Sequence, residues 1–233
     1  MLTIKNFTKV YPNGKVGVKD LNLTVKPGDI CAFIGPNGSG KTTTIRCIVG
    51  TLPFTQGEIL VDGCSVKTHP LATKRVTAYI PDQPDVYETL TGSEYLNFIA
   101  AVYRMDPATR DERIKYYADQ WQLTEHLGAL IKSYSHGMRQ KLVLIGAFMR
   151  QPKLLVLDEP FVGLDPQASF TLKNMMKDFT AHGGAIFYST HVLEVAEKLC
   201  NQVVMIKDGS LIKAGTMAEI KADHSLEEVF LNA

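Results

Sequence analysis

Gly35-Pro36-Asn37-Gly38-Ser39-Gly40-Lys41-Thr42 matches G-x-x-x-x-G-K-[ST], and the apolar run just before it, Asp29 to Ile34, reads as a buried strand. A strand, a glycine-rich turn and then a helix is the context in which backbone N–H groups can close around phosphate oxygens, because side chains at the glycine positions would block the approach. The helix opening near Lys41 aims the positive end of its dipole at the same anion. Lys41 supplies a point charge to the β and γ phosphates, and the Thr42 hydroxyl a ligand for Mg²⁺. Residues Gly35 to Thr42, with Thr43 behind them, are the candidate nucleotide-binding segment.

The rest of the chain bounds this reading. Its 233 residues are 45% hydrophobic and 21% charged, enough to bury a sizeable core. Lys and Arg number 25 against 24 Asp and Glu, so no whole-chain field points to nucleic acid, and no nucleic-acid partner is expected. The longest apolar stretch, Leu142 to Met149, is far short of the roughly 20 residues a spanning helix needs. The N-terminus lacks the basic-then-apolar pattern of a secretory signal. Cys31, Cys47, Cys64 and Cys200 have no C-x-x-C spacing and read as reduced, structural thiols.

Texture changes along the chain. From Leu2 to Pro81 it reads as short strands with Gly, Pro and Asn turns, such as Gly57 to Val61. Thr91 with Glu94 has capping-box spacing for a helix to about Arg104, Asp106-Pro107 opens a second, and Ser135 caps a third from about His136 to Arg150. Short apolar runs then return at Leu154 to Leu157, Ala185 to Ser189 and Val203 to Ile206, as buried parallel strands do. Asp165-Pro166 opens a helix between them, and Thr216 with Glu219 and Ser225 with Glu228 mark two short C-terminal helices. The expected architecture is a single α/β domain over residues 1–233. Residues 1–81 and 151–233 form a phosphate-loop core with a mostly parallel sheet and an antiparallel N-terminal portion, and residues 82–150 form a helical insertion.

Leu154-Leu155-Val156-Leu157 runs into Asp158-Glu159, and parallel strands carry their C-terminal ends toward the ligand crevice. Asp158 can hold the Mg²⁺ shell while Glu159 orients and deprotonates a water attacking the γ-phosphate. The chain has no N-K-x-D segment for guanine and no long heptad array.

Tyr134-Ser135-His136-Gly137-Met138-Arg139-Gln140, ahead of a helix and upstream of the carboxylate pair, resembles the signature sequence of ATP-binding cassette (ABC) proteins. With the phosphate loop, Asp158-Glu159-Pro160, the Gly163-Leu164-Asp165 turn and His191 in Ser189-Thr190-His191, five motifs fall in that family's order over about Leu2 to Gly215. The resemblance implies an ATPase using ATP and Mg²⁺. It implies Tyr11 as the aromatic on adenine, His191 as the switch histidine at the γ-phosphate and Asp165 as the D-loop residue between two sites. It also implies that Ser135, His136, Gly137 and Met138 complete the site of an opposing subunit, a second copy of the chain rather than a different cassette.

Two motifs depart from the family. The usual signature is Leu-Ser-Gly-Gly-Gln, and here Tyr134, His136 and Met138 stand at three of its places. A capped helix N-terminus binds an anion without glycine at 136, so the His136 ring is expected beside the phosphate path. In Tyr79-Ile80-Pro81-Asp82-Gln83 the family's glutamine position holds Asp82; either Asp82 or Gln83 could serve the Q-loop, with Gln83 the expected Mg²⁺ contact.

A single cassette with a helical insertion implies the ATP-binding subunit of a membrane transporter, at the cytoplasmic face of the cell membrane, with its spanning segments on a separate permease. A soluble cassette ATPase acting on ribosomes or DNA is the alternative, and those relatives usually carry two cassettes or coiled-coil arms. Little chain follows His191, where importer ATPases often add a regulatory domain. Tyr87-Glu88-Thr89-Leu90-Thr91 and Gly137-Met138-Arg139-Gln140-Lys141 look like bacterial exporter ATPases of the drug, bacteriocin and Ecs type.

Overall fold

The four apolar runs around the phosphate loop and carboxylate pair are neighbouring strands of one mixed sheet. The structure, a computed structural model, describes residues 1–221 and 224–231; positions 222–223 and 232–233 of the second core segment lie outside the described residues. The strands are β1 (Leu2–Val10), β2 (Val16–Val25), β3 (Ile30–Ile34), β4 (Gln56–Val61), β5 (Cys64–Ser65), β6 (Thr77–Ile80), β7 (Leu154–Asp158), β8 (Ala185–Thr190), β9 (Gln202–Lys207) and β10 (Ser210–Thr216). Among the described residues they stand in the order β5-β4-β1-β2-β10-β9-β3-β8-β7-β6. β9, β3, β8, β7 and β6 run parallel, whereas β1 pairs antiparallel with β2 and β4, as expected for this fold class.

Every residue of β3, β7 and β8 is buried, because both faces of the parallel sheet are covered. Alternation sorts the side chains. Ile30, Ala32, Ile34, Leu155, Leu157, Ile186 and Tyr188 face one core, under α3 (Gly92–Val102), α4 (Pro107–Gln120), α5 (His136–Phe148), α6 (Pro166–Ala181) and α7 (Leu193–Leu199). Cys31, Phe33, Val156 and Phe187 face the other, with Ile45 and Ile48 of α1 (Lys41–Ile48) and Leu2, Ile4 and Phe7 of β1. Three of the cysteines are buried in this framework and all four are free; burial pushes Cys47 and Cys200 up to about 12, so they stay protonated.

The N-terminal third differs from its reading as short strands. β1 has 9 residues and β2 has 10. Their pairing shifts register at Ile4/Phe7, Phe7/Lys9 and Lys9/Val10, and Asn6 and Asp20 adopt φ 46°, so bulges interrupt the alternation that would mark one long strand. The short helix α2 (Pro70–Val76) escaped the sequence reading as well.

Capping residues set the helix starts. Thr91 and Glu94 form the reciprocal box of α3, Asp106 Oδ1 accepts from Thr109 N at 3.0 Å ahead of α4, and Ser135 Oγ accepts from Met138 N at 3.2 Å ahead of α5. Asp165 caps α6, while Thr216/Glu219 and Ser225/Glu228 open α8 (Met217–Lys221) and α9 (Leu226–Leu231). α3, α4 and α5 all lie between β6 and β7, which are hydrogen-bonded neighbours at the sheet edge, so the chain leaves the sheet and returns beside its own exit. No described helix is long and apolar enough to cross a membrane.

Candidate nucleotide site

A cleft of about 650 Å³ opens where β3, β6 and β7 end, lined by Tyr11 to Gly17 except Gly14, by Asn37, Gly38 and Gly40 to Thr43, and by Asp82, Asp158 and Glu159. Gly40 caps α1 at φ 109°, and a Cβ there would stand 2.6 Å from the Gly17 carbonyl, so only glycine fits. Ser39 is buried with its hydroxyl folded against Gly35, inside the loop rather than in the cleft. Lys41 is 6% exposed, and its ammonium donates to the carbonyls of Gly35 at 2.7 Å and Pro36 at 3.1 Å. Burial lowers its affinity for the proton and the carboxylates of Glu159 and Asp158 oppose that.

Asp158 ends β7 only 1% exposed. Ser189, opposite it on β8, donates its hydroxyl to Asp158 Oδ1 and accepts from the Glu159 amide at 3.1 Å. Burial raises the Asp158 carboxyl; the hydroxyls of Ser189 and Thr42 pull it down, and Asp82 and Glu159 push it up again. Its other oxygen, Oδ2, is buried with no hydrogen-bond partner among the described residues. A lone buried carboxylate oxygen beside a Thr hydroxyl suits a hard cation that draws its other ligands from phosphate and water, the habit of Mg²⁺. Among the described residues no group of three or more His, Cys, Asp or Glu offers an all-protein metal cage.

Glu159 follows in the left-handed region, φ 49°, a conformation costing roughly 1–2 kcal/mol for a residue with a Cβ. The turn leaves its carboxylate 3.0 Å from His191 Nδ1, at the end of β8, with His191 57% exposed and Glu159 16%. The pair can take a proton from a water held between it and a phosphate.

Tyr11 flanks the same cleft, its hydroxyl 2.8 Å from Thr43 Oγ1 and its ring over Gly17. Of the two Q-loop candidates the cleft is lined by Asp82 and not by Gln83, so the expected Gln83 contact to Mg²⁺ has no counterpart in the cleft wall.

The signature segment does not line the cleft of its own chain. Ser135 is exposed at the head of α5. Tyr134 is buried and donates to the His126 carbonyl at 2.7 Å, and its hydroxyl fills the space that a Cβ on Gly92 would need. The His136 ring, expected beside the phosphate path of an opposing subunit, is seated on Gly163 within its own chain. Asp165, besides capping α6, lies 3.4 Å from Lys141 Nζ.

Three contributors were not singled out from sequence: Ser189 as the link between Asp158 and Glu159, Gly17 under the Tyr11 ring, and Arg139, whose guanidinium pairs with Glu88 at 2.8 Å. Only Gly17 carried a local signal, a glycine inside a strand pattern.

A parallel sheet with a phosphate loop after one strand and a buried carboxylate ending another defines a phosphate-loop nucleotide-binding protein. The ABC transporter family model matches residues 18–162; the chain belongs to that family and is an ATP-hydrolysing subunit of it. It is 32% identical to the ABC-type transporter ATP-binding protein EcsA of Bacillus subtilis (strain 168), over 100% of this chain and 94% of the relative. It is 37% identical to the SkfA peptide export ATP-binding protein SkfE of the same organism, over 91% and 88%. A solved ATP-binding subunit of an ABC transporter superposes with TM-score 0.96 at 33% identity, covering 100% of this chain and 98% of that one.

Proposed function

We propose that this chain powers an exporter from the cytoplasmic face of the membrane, bound to a separate permease and paired head-to-tail with a second copy of itself. The observation that carries the pairing is that Ser135, capping α5 and open to solvent, lies outside the cleft of its own chain. A capped helix N-terminus with its serine exposed is ready to meet the γ-phosphate of another subunit. Export is supported by the likeness to SkfE, whose name records peptide export. Residues 82–150 act in this reading as the subdomain that carries the signature and meets the permease.

The reading assigns each residue of the cleft a role. Backbone N–H groups of residues 37–43 and the Lys41 ammonium, once it leaves the loop carbonyls, neutralise the β and γ phosphates. Thr42 and Asp158 would hold Mg²⁺, which supplies charge neutralisation on the phosphates when bound. Asp82 takes the Q-loop place. Tyr11 presents its ring to adenine, and Asp165 reaches toward the partner's site. Glu159 accepts the proton of the attacking water, and His191 orients that carboxylate and meets the γ-phosphate.

Nucleotide titration of two variants tests the reading. Lys41→Ala should lose ATP affinity, whereas Ser135→Arg should bind ATP like the wild type in the isolated chain and fail to hydrolyse it. A Ser135→Arg chain with weakened binding would place Ser135 in its own cleft and end the head-to-tail reading.

A further inference from the structure

The residue that departs most from the usual signature, His136, is the first of α5, so the helix fixes its backbone while one side of its ring stays open to solvent. The other side rests on Gly163. A Cβ added there would stand 2.7 Å from His136 Nε2 and closer still to the ring carbon Cδ2, and Gly163 has φ 80°. Two more contacts follow along the same helix. A Cβ on Gly137 would lie 3.1 Å from the Gly163 carbonyl oxygen, and one turn further Lys141 Nζ is 3.4 Å from Asp165 Oδ2.

The turn held in this way leads straight back to the hydrolytic carboxylate. Val162 N donates to the Glu159 carbonyl at 3.1 Å, and Leu164 N to that of Phe161 at 3.3 Å. Asp165 is 54% exposed, and an ion pair so open to water contributes little on its own. The ring on a glycine that leaves room for it is therefore the main fastening. A glycine at position 136 would leave that space empty, and a side chain at 163 would forbid the ring.

We propose that His136 is a positioning residue. Its ring clamps the turn from Gly163 to Asp165 to the N-terminus of α5, so that the Ser135 offered to a partner's nucleotide and the segment behind the chain's own Glu159 are held as one unit. The clamp ties the two sites of the pair together and rests on the head-to-tail reading above.

The test compares steady-state Mg-ATP hydrolysis by the full chain carrying His136→Gly, His136→Phe, Gly163→Ala, His136→Gly with Gly163→Ala, and Ser135→Arg. His136→Gly should lower kcat about tenfold, within the range for misplacement by an ångström or less, with KM unchanged within about twofold. His136→Phe, a ring without nitrogen, should recover most of the rate. Gly163→Ala should lose more activity in the wild type than in the His136→Gly background, where the ring no longer occupies the space. A wild-type kcat in His136→Gly overturns the proposal, and so do equal losses from Gly163→Ala in both backgrounds. A His136→Phe chain as slow as His136→Gly also overturns it, since the nitrogens would then be the active atoms. Where Gly163→Ala fails to fold, the Gly and Phe pair at position 136 decides alone. Ser135→Arg separates the two levels: if it hydrolyses ATP normally the head-to-tail reading fails, and if it is inactive while His136→Gly is normal only the clamp fails.

Discussion

His191 Nδ1 stands 3.0 Å from Glu159 Oε1, joining the ends of two adjacent parallel strands. Neither side chain reaches this position by local preference. Glu159 turns through the left-handed region, held by its amide on Ser189, and His191 follows the strand that carries Ser189.

The first prediction concerns this pair. Glu159→Gln should bind ATP with wild-type affinity and hydrolyse it about 10²-fold or more slowly, the scale of a lost general base. If the two groups act as a unit, adding His191→Ala to Glu159→Gln should cost little beyond the worse single change. Single-turnover rates for the two singles and the double measure this, and fully additive losses would show independent roles.

Asp158 makes a prediction of opposite sign for stability and for ligand binding. Burial raises its carboxyl, so the folded chain holds that proton more tightly than the unfolded chain. The charged form therefore costs stability above the raised value, and the cost disappears as pH falls through it. Asp158→Asn should melt at or above the wild-type Tm at neutral pH without ligand, and should lose most of the Tm gain that Mg-ATP gives the wild type. Melting with and without Mg-ATP tests both halves; a ligand-free variant that melts well below the wild type would contradict the first.

Pairing should depend on the nucleotide, because each cleft lacks the signature serine of its own chain. The Glu159→Gln chain is expected to sediment as a dimer with Mg-ATP and as a monomer with ADP. A dimer equally stable with ADP would mean that another surface holds the copies together.

Gly92 and Tyr134 make a packing prediction. A Cβ at position 92 would collide with the Tyr134 hydroxyl, whose hydrogen bond to the His126 carbonyl holds the ring in place. Gly92→Ala should destabilise the chain by about 1–3 kcal/mol, as overpacking does. Tyr134→Leu, which removes the hydroxyl, should relieve much of that cost in the double variant. Denaturant unfolding of the four proteins gives the coupling.

The phosphate loop, the buried strands and the starts of seven helices were legible in the sequence because each depends on residues a few positions apart. Thr91 meets Glu94, Ser135 meets the amide of Met138, and Asp165 meets that of Ala168. The alternation in β3 and β7 is equally local, and it places Asp158 at a strand end. The lengths of β1 and β2 were harder to read, since their bulges arise from pairing with each other and with β4.

What the amino-acid order determined by itself was therefore the chemistry on offer: a phosphate cradle, two carboxylates, a capped signature helix and a histidine after a strand. The tertiary structure decided which of these meet. Sheet order set β8 beside β7 and so put Ser189 on Asp158 and His191 on Glu159; the exit from β6 turned Asp82 rather than Gln83 into the cleft; and the packing of α5 on the turn before α6 laid the His136 ring on Gly163. Each of these contacts joins residues far apart in the chain. Their geometry follows from how whole strands and helices pack, and no local preference encodes it.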